Sequence, residues 1–281
     1  MNIPKVSVLI ATWNRKNLLR KAIESVLRQS FSDWEIIVAD DGSNDGTEEM
    51  MAAYCRQDGR IRYLKGSHAG RIAVASNRGL VAARGEYIAI LDDDDYWIDR
   101  EKLKKQVAFL DKNPEYVACG GGMIVIDEWG KEKAKVLKPE KDENIKKYAL
   151  LANPIIHSAS MFRRTVAEKI GNYSETLSQF ADWDFWLKLG LVGKLYNFPE
   201  YFVRYYMWSK GSSFLKQREN ALSAIHIVKH YQDFYPNFFP AIITAYLYLF
   251  YSYVPSVVRN FLNPLLSIIK KYLFRGNANN V

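Results

Sequence analysis

Cysteine is nearly missing: Cys55 and Cys119 are the only two in 281 residues. No disulfide framework is implied, and reduced thiols in a cytosolic protein are expected. No secretion signal is expected at the N-terminus. The apolar stretch 6–11 is too short, and Trp13-Asn14-Arg15-Lys16 follows where a small-residue cleavage site belongs. Internal repeats and low-complexity segments are absent. Acidic charge runs out late: nothing after Asp233 is Asp or Glu, whereas Arg259, Lys270, Lys271 and Arg275 follow it. With a net charge of +8, that skew implies a local surface interaction and excludes a uniformly basic nucleic-acid binder. The chain is 48% hydrophobic and 25% charged, which suits a globular protein with a core, in one large domain or two small ones.

What is present alternates. Residues 6–11 are an apolar, β-branched run that predicts a buried strand, and 34–39, 61–64, 85–91 and 116–119 predict four more. Leu18, Leu19, Ala22, Ile23, Val26 and Leu27 form a helical stripe. Residues 47–54, 69–83 and 100–110 also read as helices, the last stopped by Asn113-Pro114. This alternation over 1–120 predicts a doubly wound α/β sheet. Beyond 120 the pattern loosens, with strands expected at 124–126 and 160–162 and helices at 144–151 and 183–191. Such sheets bind ligands outside the carboxyl ends of their strands. Thr12, Asp40 and Asp92 each follow a predicted strand end.

The run Asp92-Asp93-Asp94-Asp95 directly follows the apolar stretch Tyr87-Ile88-Ala89-Ile90-Leu91. Four like charges at a strand end repel one another, so a positive group should bridge them. A divalent metal holding a diphosphate is the natural one; a solvated acidic turn capping the next helix is the other reading.

Three blocks occur in order: Val6-Ser7-Val8-Leu9-Ile10-Ala11-Thr12-Trp13-Asn14-Arg15, then Asp40-Asp41-Gly42-Ser43-Asn44-Asp45-Gly46-Thr47, then Gly85-Glu86-Tyr87-Ile88 leading into the aspartate run. Together they resemble the family 2 glycosyltransferases, over about residues 5–213. The resemblance implies the α/β GT-A fold, a Rossmann-like doubly wound mixed sheet, here with a C-terminal helical extension. It implies transfer of a sugar from a nucleotide-diphosphate sugar donor to an acceptor hydroxyl, with inversion. Residues 1–120 would be the nucleotide-sugar-binding half. Residues 121–233 would be the acceptor-binding and catalytic-base half of the same domain, and 234–281 an aromatic, basic tail.

The same resemblance implies roles for single residues. The first loop, Ala11, Thr12, Trp13 and Arg15, binds the nucleotide. Asp40 contacts the base, although it could also cap its own turn. The Asp-x-Asp metal motif falls on Asp92-Asp93-Asp94. Asp94 is the expected direct ligand of Mg²⁺ or Mn²⁺, Asp92 the second, and Asp93 the orienter of donor hydroxyls. In Ala181-Asp182-Trp183-Asp184-Phe185-Trp186, Asp182 matches the base that takes the acceptor proton. Trp183, Phe185 and Trp186 would exclude water there. The competing readings are a helix N-cap for Asp182 and Asp184 as the base. Arg71 and Arg204 are expected at the diphosphate, or else are surface cations. Arg204 precedes a polar loop, 209–213, that could close over the donor. His157 either approaches the phosphates or is an ordinary hydrogen-bonded histidine. Two positions depart from the family's habit: Ala181 replaces a frequent glutamate and Ser76 a frequent arginine.

Residues 234–258 are uncharged and rich in Tyr, Phe and Leu. Pro240 and Pro255 leave a stretch too short for a bilayer core of about 30 Å. Phe261, Leu262, Leu265, Ile268, Ile269 and Tyr272 recur at helical spacing beside Lys270, Lys271 and Arg275. The expectation is peripheral attachment to an anionic membrane surface on the cytoplasmic side, with a lipid-linked or cell-envelope saccharide as acceptor. A helical pair packed on the domain, or a dimer interface, is the alternative. Two other activities compete. A nucleotidyltransferase usually has a glycine-rich loop after its first strand, which Thr12-Trp13-Asn14-Arg15 lacks. A non-catalytic nucleotide-sugar-binding or membrane-scaffolding protein is opposed by Asp94 and Asp182.

Overall fold

The computed structural model describes residues 3–207 and 216–254. The loop 209–213 and the segment 255–281, on which expectations above rest, lie outside them. Four parallel strands form one half of a sheet: β1 (Val6–Thr12), β2 (Trp34–Asp40), β3 (Ile61–Lys65) and β4 (Tyr87–Ile90). The other half holds β5 (Tyr96–Trp97), β6 (Tyr116–Ile126), β7 (Glu132–Val136), β8 (Met161–Arg163) and β9 (Lys194–Tyr206). The order is β3-β2-β1-β4-β8-β6-β9-β5, with β7 beside β6. β8 runs antiparallel to both β4 and β6, so it joins the halves into one mixed sheet.

Side-chain alternation explains the two faces. Val6, Val8 and Ile10 of β1, with Ile36 and Val38 of β2, point into one core. Leu9, Ile37 and Ala39 point into the other. The first core is closed by α1 (Lys16–Leu27), α2 (Thr47–Gln57) and α4 (Lys102–Lys112). The second is closed by α3 (Ile72–Ala82), α5 (Asp142–Tyr148), α6 (Arg164–Lys169) and α7 (Ala181–Val192). The outer side of α7, Trp183 and Leu187, meets α8 (Gln217–His230) and α9 (Phe238–Tyr253) in a third cluster. Thus α7 is sandwiched between sheet and helical extension.

Several expected boundaries move for physical reasons. Ala69 and Gly70 are not helical, because their N–H groups donate to the Asp41 carboxylate at 2.9 and 3.0 Å. The expected strands 116–119 and 124–126 are one strand, β6, which passes straight through Gly120-Gly121-Gly122. β9 was not expected, since it contains Pro199. It tolerates the proline where its register with β6 slips, between Gly120↔Asn197 and Gly122↔Tyr201. Helix α9 starts two residues before Pro240, whose missing N–H costs nothing in a first turn. No helix among the described residues is long and apolar enough to cross a membrane.

Candidate active site

The parallel register sets the site. Thr12 pairs with Asp40, and Leu9 with Ile90, so β1, β2 and β4 end along one edge. β2 and β4 flank β1 on opposite sides, which makes the end of β1 the switch point where a ligand crevice opens.

The first loop is stapled to the second block. Asn14 takes a left-handed backbone, φ 53°, which asparagine tolerates. Its N–H donates to Ser43 Oγ at 2.8 Å, and its side-chain oxygen accepts the Asn44 N–H at 2.8 Å. The Lys16 N–H donates to Asp45 at 2.8 Å. Gly42 has φ 81°, and a Cβ there would lie 2.9 Å from the His68 nitrogen. This explains the glycine of that block. Trp13, about half-exposed, stacks on His68 with ring centroids 4.4 Å apart. His68 is held by Asp41 at 2.9 Å. Ala11 is half-buried in β1, opposite Ala39.

The positive group that meets the aspartate run is Arg15. One guanidinium nitrogen reaches Asp93 at 2.9 Å and Asp94 at 2.7 Å. Asp93 is buried and also accepts the Thr12 hydroxyl at 2.7 Å. Both Asp93 oxygens are therefore engaged by the first loop. The Asp94 carboxyl is pushed up to about 7, by burial first and then by the Asp93 charge, against the pull of Arg15. Asp95 does not cap the following helix. It is fully buried, accepting the Tyr206 N–H at 2.9 Å and contacting Ser158 Oγ.

Ser158 is the hub that sequence reasoning missed. Its hydroxyl meets Asp92 at 2.8 Å as well as Asp95, and accepts the Asp92 N–H at 3.2 Å. One hydroxyl hydrogen is thus shared between two carboxyl groups. Burial, with the Asp94 and Asp92 charges, holds the Asp95 carboxyl well above the usual range. The hub is clamped from behind through three consecutive carbonyls. Trp97 Nε1 donates to Ser158 O at 2.7 Å, Gln106 to Ala159 O at 2.9 Å, and Lys102 to Ser160 O at 3.5 Å. Lys102 is fully buried, and burial pushes its ammonium down to about 7.

Far along the chain, α7 delivers the second acidic group. Asp184 is spent on structure: it accepts the Tyr231 hydroxyl at 2.8 Å and pairs with Lys188 at 2.7 Å. Asp182 is half-exposed and takes a hydrogen bond from the Asn153 amide. It is not an N-cap, because the helix starts at Ala181 after Phe180. Two tyrosines lie within electrostatic range of both Asp182 and the aspartate run. The Tyr205 phenol is held high by burial, then by Asp95, Asp92, Asp94 and Asp182 together. Tyr173 is buried and feels Asp182 and Asp92 in the same way. Its backbone is gripped by the Asn77 side chain at 2.9 and 3.0 Å.

Other expected residues are less central as placed. Asp40 is fully buried, with its carboxylate on Ser43 and the Tyr63 hydroxyl, so it shapes its turn. Arg71 stands at the N-cap position of α3 without capping it through its side chain, and donates to Glu175 O at 2.7 Å. Arg204 reaches Tyr96 at 3.4 Å and Glu132 at 3.6 Å. Trp183 sits in the third cluster, with its indole N–H on Ala149 O at 2.7 Å. The His157 ring lies 5.7 Å from both Tyr173 and Trp186, edge to face, one residue from the hub.

Comparison with known proteins decides the family. The family described as Glycosyl transferase family 2 matches residues 7–171, which include both aspartate blocks and the hub. The chain is a family 2 glycosyltransferase. It is 33% identical over 233 residues to the putative glycosyltransferase EpsE of Bacillus subtilis, covering 82% of this chain and 81% of EpsE. A mannosyltransferase from Pyrobaculum calidifontis, solved with GDP-Man and Mn²⁺, superposes with a TM-score of 0.65 at 19% identity. That match covers 89% of this chain and 70% of the mannosyltransferase. A TarS fragment from S. aureus in complex with UDP gives 0.62 at 18% identity, over 87% of this chain and 69% of the fragment. Full TarS is matched over 39% of its length. These likenesses establish the GT-A fold.

The donor set of this glycosyltransferase fits a hard divalent cation as a partial site. Among the described residues, no three His, Cys, Asp or Glu side chains cluster closely enough to hold an ion alone. Asp92 and Asp94 offer carboxylate oxygens, the ligand type Mg²⁺ and Mn²⁺ prefer. Asp93 and Asp94 share a single Arg15 guanidinium nitrogen, at 2.9 and 2.7 Å. A diphosphate would complete such a site.

Proposed function

We propose that the chain transfers a sugar from a nucleotide-diphosphate sugar to an acceptor hydroxyl, inverting the anomeric centre. The observation that carries this reading is the pairing of roles on α7. Asp184 is locked into the helical core, while Asp182 is half-buried, oriented by the Asn153 amide, with Tyr173 and Tyr205 within electrostatic range of it and of the aspartate run. A single carboxylate not spent on structure suits an inverting displacement. Asp182 takes the acceptor proton, and the Asn153 amide fixes its orientation.

The nucleotide lies against the first loop, with Trp13 offering a half-exposed aromatic face. Asp94 and Asp92 would hold Mg²⁺ or Mn²⁺ with the diphosphate, and Arg15 supplies further positive charge beside it. Bound there, the ion acts as a Lewis acid that neutralises the leaving diphosphate. Asp93, tied to Thr12 and Arg15, keeps the loop in place for the donor. Arg71, His157 and Arg204 stand as secondary donor contacts; Asp40 contacts a base edge only if it gives up Ser43 or Tyr63. Residues 1–120 supply the donor side and 121–233 the acceptor side. The acceptor is a lipid-linked or cell-envelope saccharide, met at the cytoplasmic face of a membrane.

The test is a panel of nucleotide sugars, scored for hydrolysis and thermal stabilisation with and without Mn²⁺. Stabilisation by at least one donor, dependent on the metal and weakened by Asp94→Ala, is expected. No metal-dependent response to any donor would reject the reading.

A further inference from the structure

Helix α9 is uncharged on every side. From Phe238 to Tyr253 it contains no charged residue. One side is accounted for: Ala241 and Ala245 are buried against α8, with Ile242 and Leu249 beside them. The opposite side is not covered within the described residues. Phe239, Ile243, Leu247 and Phe250 are 58–74% exposed, with Tyr246 and Tyr253 at the margin. At about 100° per residue, these six positions fall within a stripe of roughly 120° along the whole helix. An apolar surface of this continuity marks an interaction site.

We infer that this outer face of α9 docks on an anionic lipid surface, with its apolar side chains at the headgroup boundary. The inference rests on the membrane-side acceptor proposed above, and names the element that does the binding. Charge selects the partner. Lys229 lies 5.6 Å from the Tyr246 ring and Arg218 5.2 Å from the Tyr253 ring, so cations flank the stripe. Glu219 is answered by Lys216 at 3.8 Å. Asp233, in the turn before α9, is the last acidic residue of the chain, and Arg259, Lys270, Lys271 and Arg275 follow. A two-fold contact between copies would set Lys229 and Arg218 against like charges. An anionic bilayer answers them instead. Tyr246 and Tyr253 at the margin also suit the polar-apolar boundary.

Docking has a consequence for the site. Tyr231 and Tyr235, at the α8–α9 turn, bond Asp184 and the Leu187 carbonyl of α7. The helix that carries Asp182 is thus fastened to the docking element, and the base keeps a fixed height above the lipid. An acceptor held in the membrane meets it without a search in solution.

Flotation of the full chain with vesicles of 3:1 phosphatidylcholine to phosphatidylglycerol tests this. The protein should float with these vesicles, and at least tenfold less with pure phosphatidylcholine or in 1 M salt. The triple change Phe239→Ser, Leu247→Ser, Phe250→Ser removes only exposed side chains and should cut binding at least tenfold, with the melting temperature unchanged. Equal flotation of the triple variant would overturn the inference and assign binding to another segment. A dimer in sedimentation that this variant dissociates would overturn it in favour of a second copy. Donor hydrolysis is measured in parallel without vesicles. Failure to float with hydrolysis intact sinks the docking alone, whereas flotation without any hydrolysis sinks the transferase reading.

Discussion

Replacing Ser158 by alanine removes one oxygen and should disturb both stability and metal use. The hydroxyl separates the half-buried Asp92 from the buried Asp95, meeting Asp92 at 2.8 Å and Asp95 beside it, and it accepts the Asp92 N–H at 3.2 Å. Without it, the Asp92 and Asp95 carboxyl groups and the Asp92 N–H each lose a partner in a site only 1% exposed at Ser158. Hydrogen bonds to charged groups contribute about 1.5–3 kcal/mol, and stranded buried groups cost a similar amount. A net loss of about 2–3 kcal/mol follows, visible as a drop of several degrees in melting temperature. Asp92 would also lose its orientation. Changes to the groups that orient metal ligands typically cost about 10–100-fold in affinity, so more Mn²⁺ should be needed for the same donor-dependent stabilisation. Urea unfolding and a Mn²⁺ titration in the presence of donor read the two effects separately. Stability within about 0.5 kcal/mol of the parent and an unchanged Mn²⁺ requirement would refute the hub.

Two further outcomes follow from buried charges. Lys102→Met should gain in stability relative to the parent at pH 7 compared with pH 9. The folded ammonium titrates near 7 instead of 10.5, so above 7 only the unfolded parent holds that proton and the parent gains stability as pH rises. The difference between the two proteins should shift toward the parent by about 1.4 kcal/mol per pH unit between 7 and 9, in urea unfolding; a difference independent of pH would contradict the buried-lysine assignment. Asp184→Asn should cost about 1–2 kcal/mol by losing the Lys188 pair and weakening the Tyr231 bond. Donor hydrolysis should survive it, and loss of activity in a folded Asp184→Asn protein would move the base to that position.

How far the chain could be read without coordinates follows from where its physics is local. β1, β2 and β4 are continuous apolar runs because both their faces are buried, and such runs are visible in sequence. β9 was hidden by Pro199 and by half-buried aromatics, because its pairing with β6 is decided by tertiary packing around the slip in register. The aspartate run announced a need for positive charge, and Arg15 meets it in part. Ser158, Asn153 and Tyr205 gave no such sign. Each is an ordinary residue whose importance comes from neighbours 23 to 113 positions away, such as Asn153 on Asp182 and Ser158 on Asp92. Trp183 looked like a site aromatic because α7 is aromatic around its circumference. Which side faces the sheet and which faces α8 is set by partners the local pattern does not contain.

The central claim is that Asp182 takes the proton of the attacking hydroxyl. Asp182→Asn keeps the Asn153 neighbour and the shape of the side chain while removing the base. Release of nucleotide from a donor identified in the panel, with water as acceptor, should fall about 10²–10⁴-fold, with Mn²⁺-dependent donor binding unchanged. Release at the parental rate would show that another group does this work.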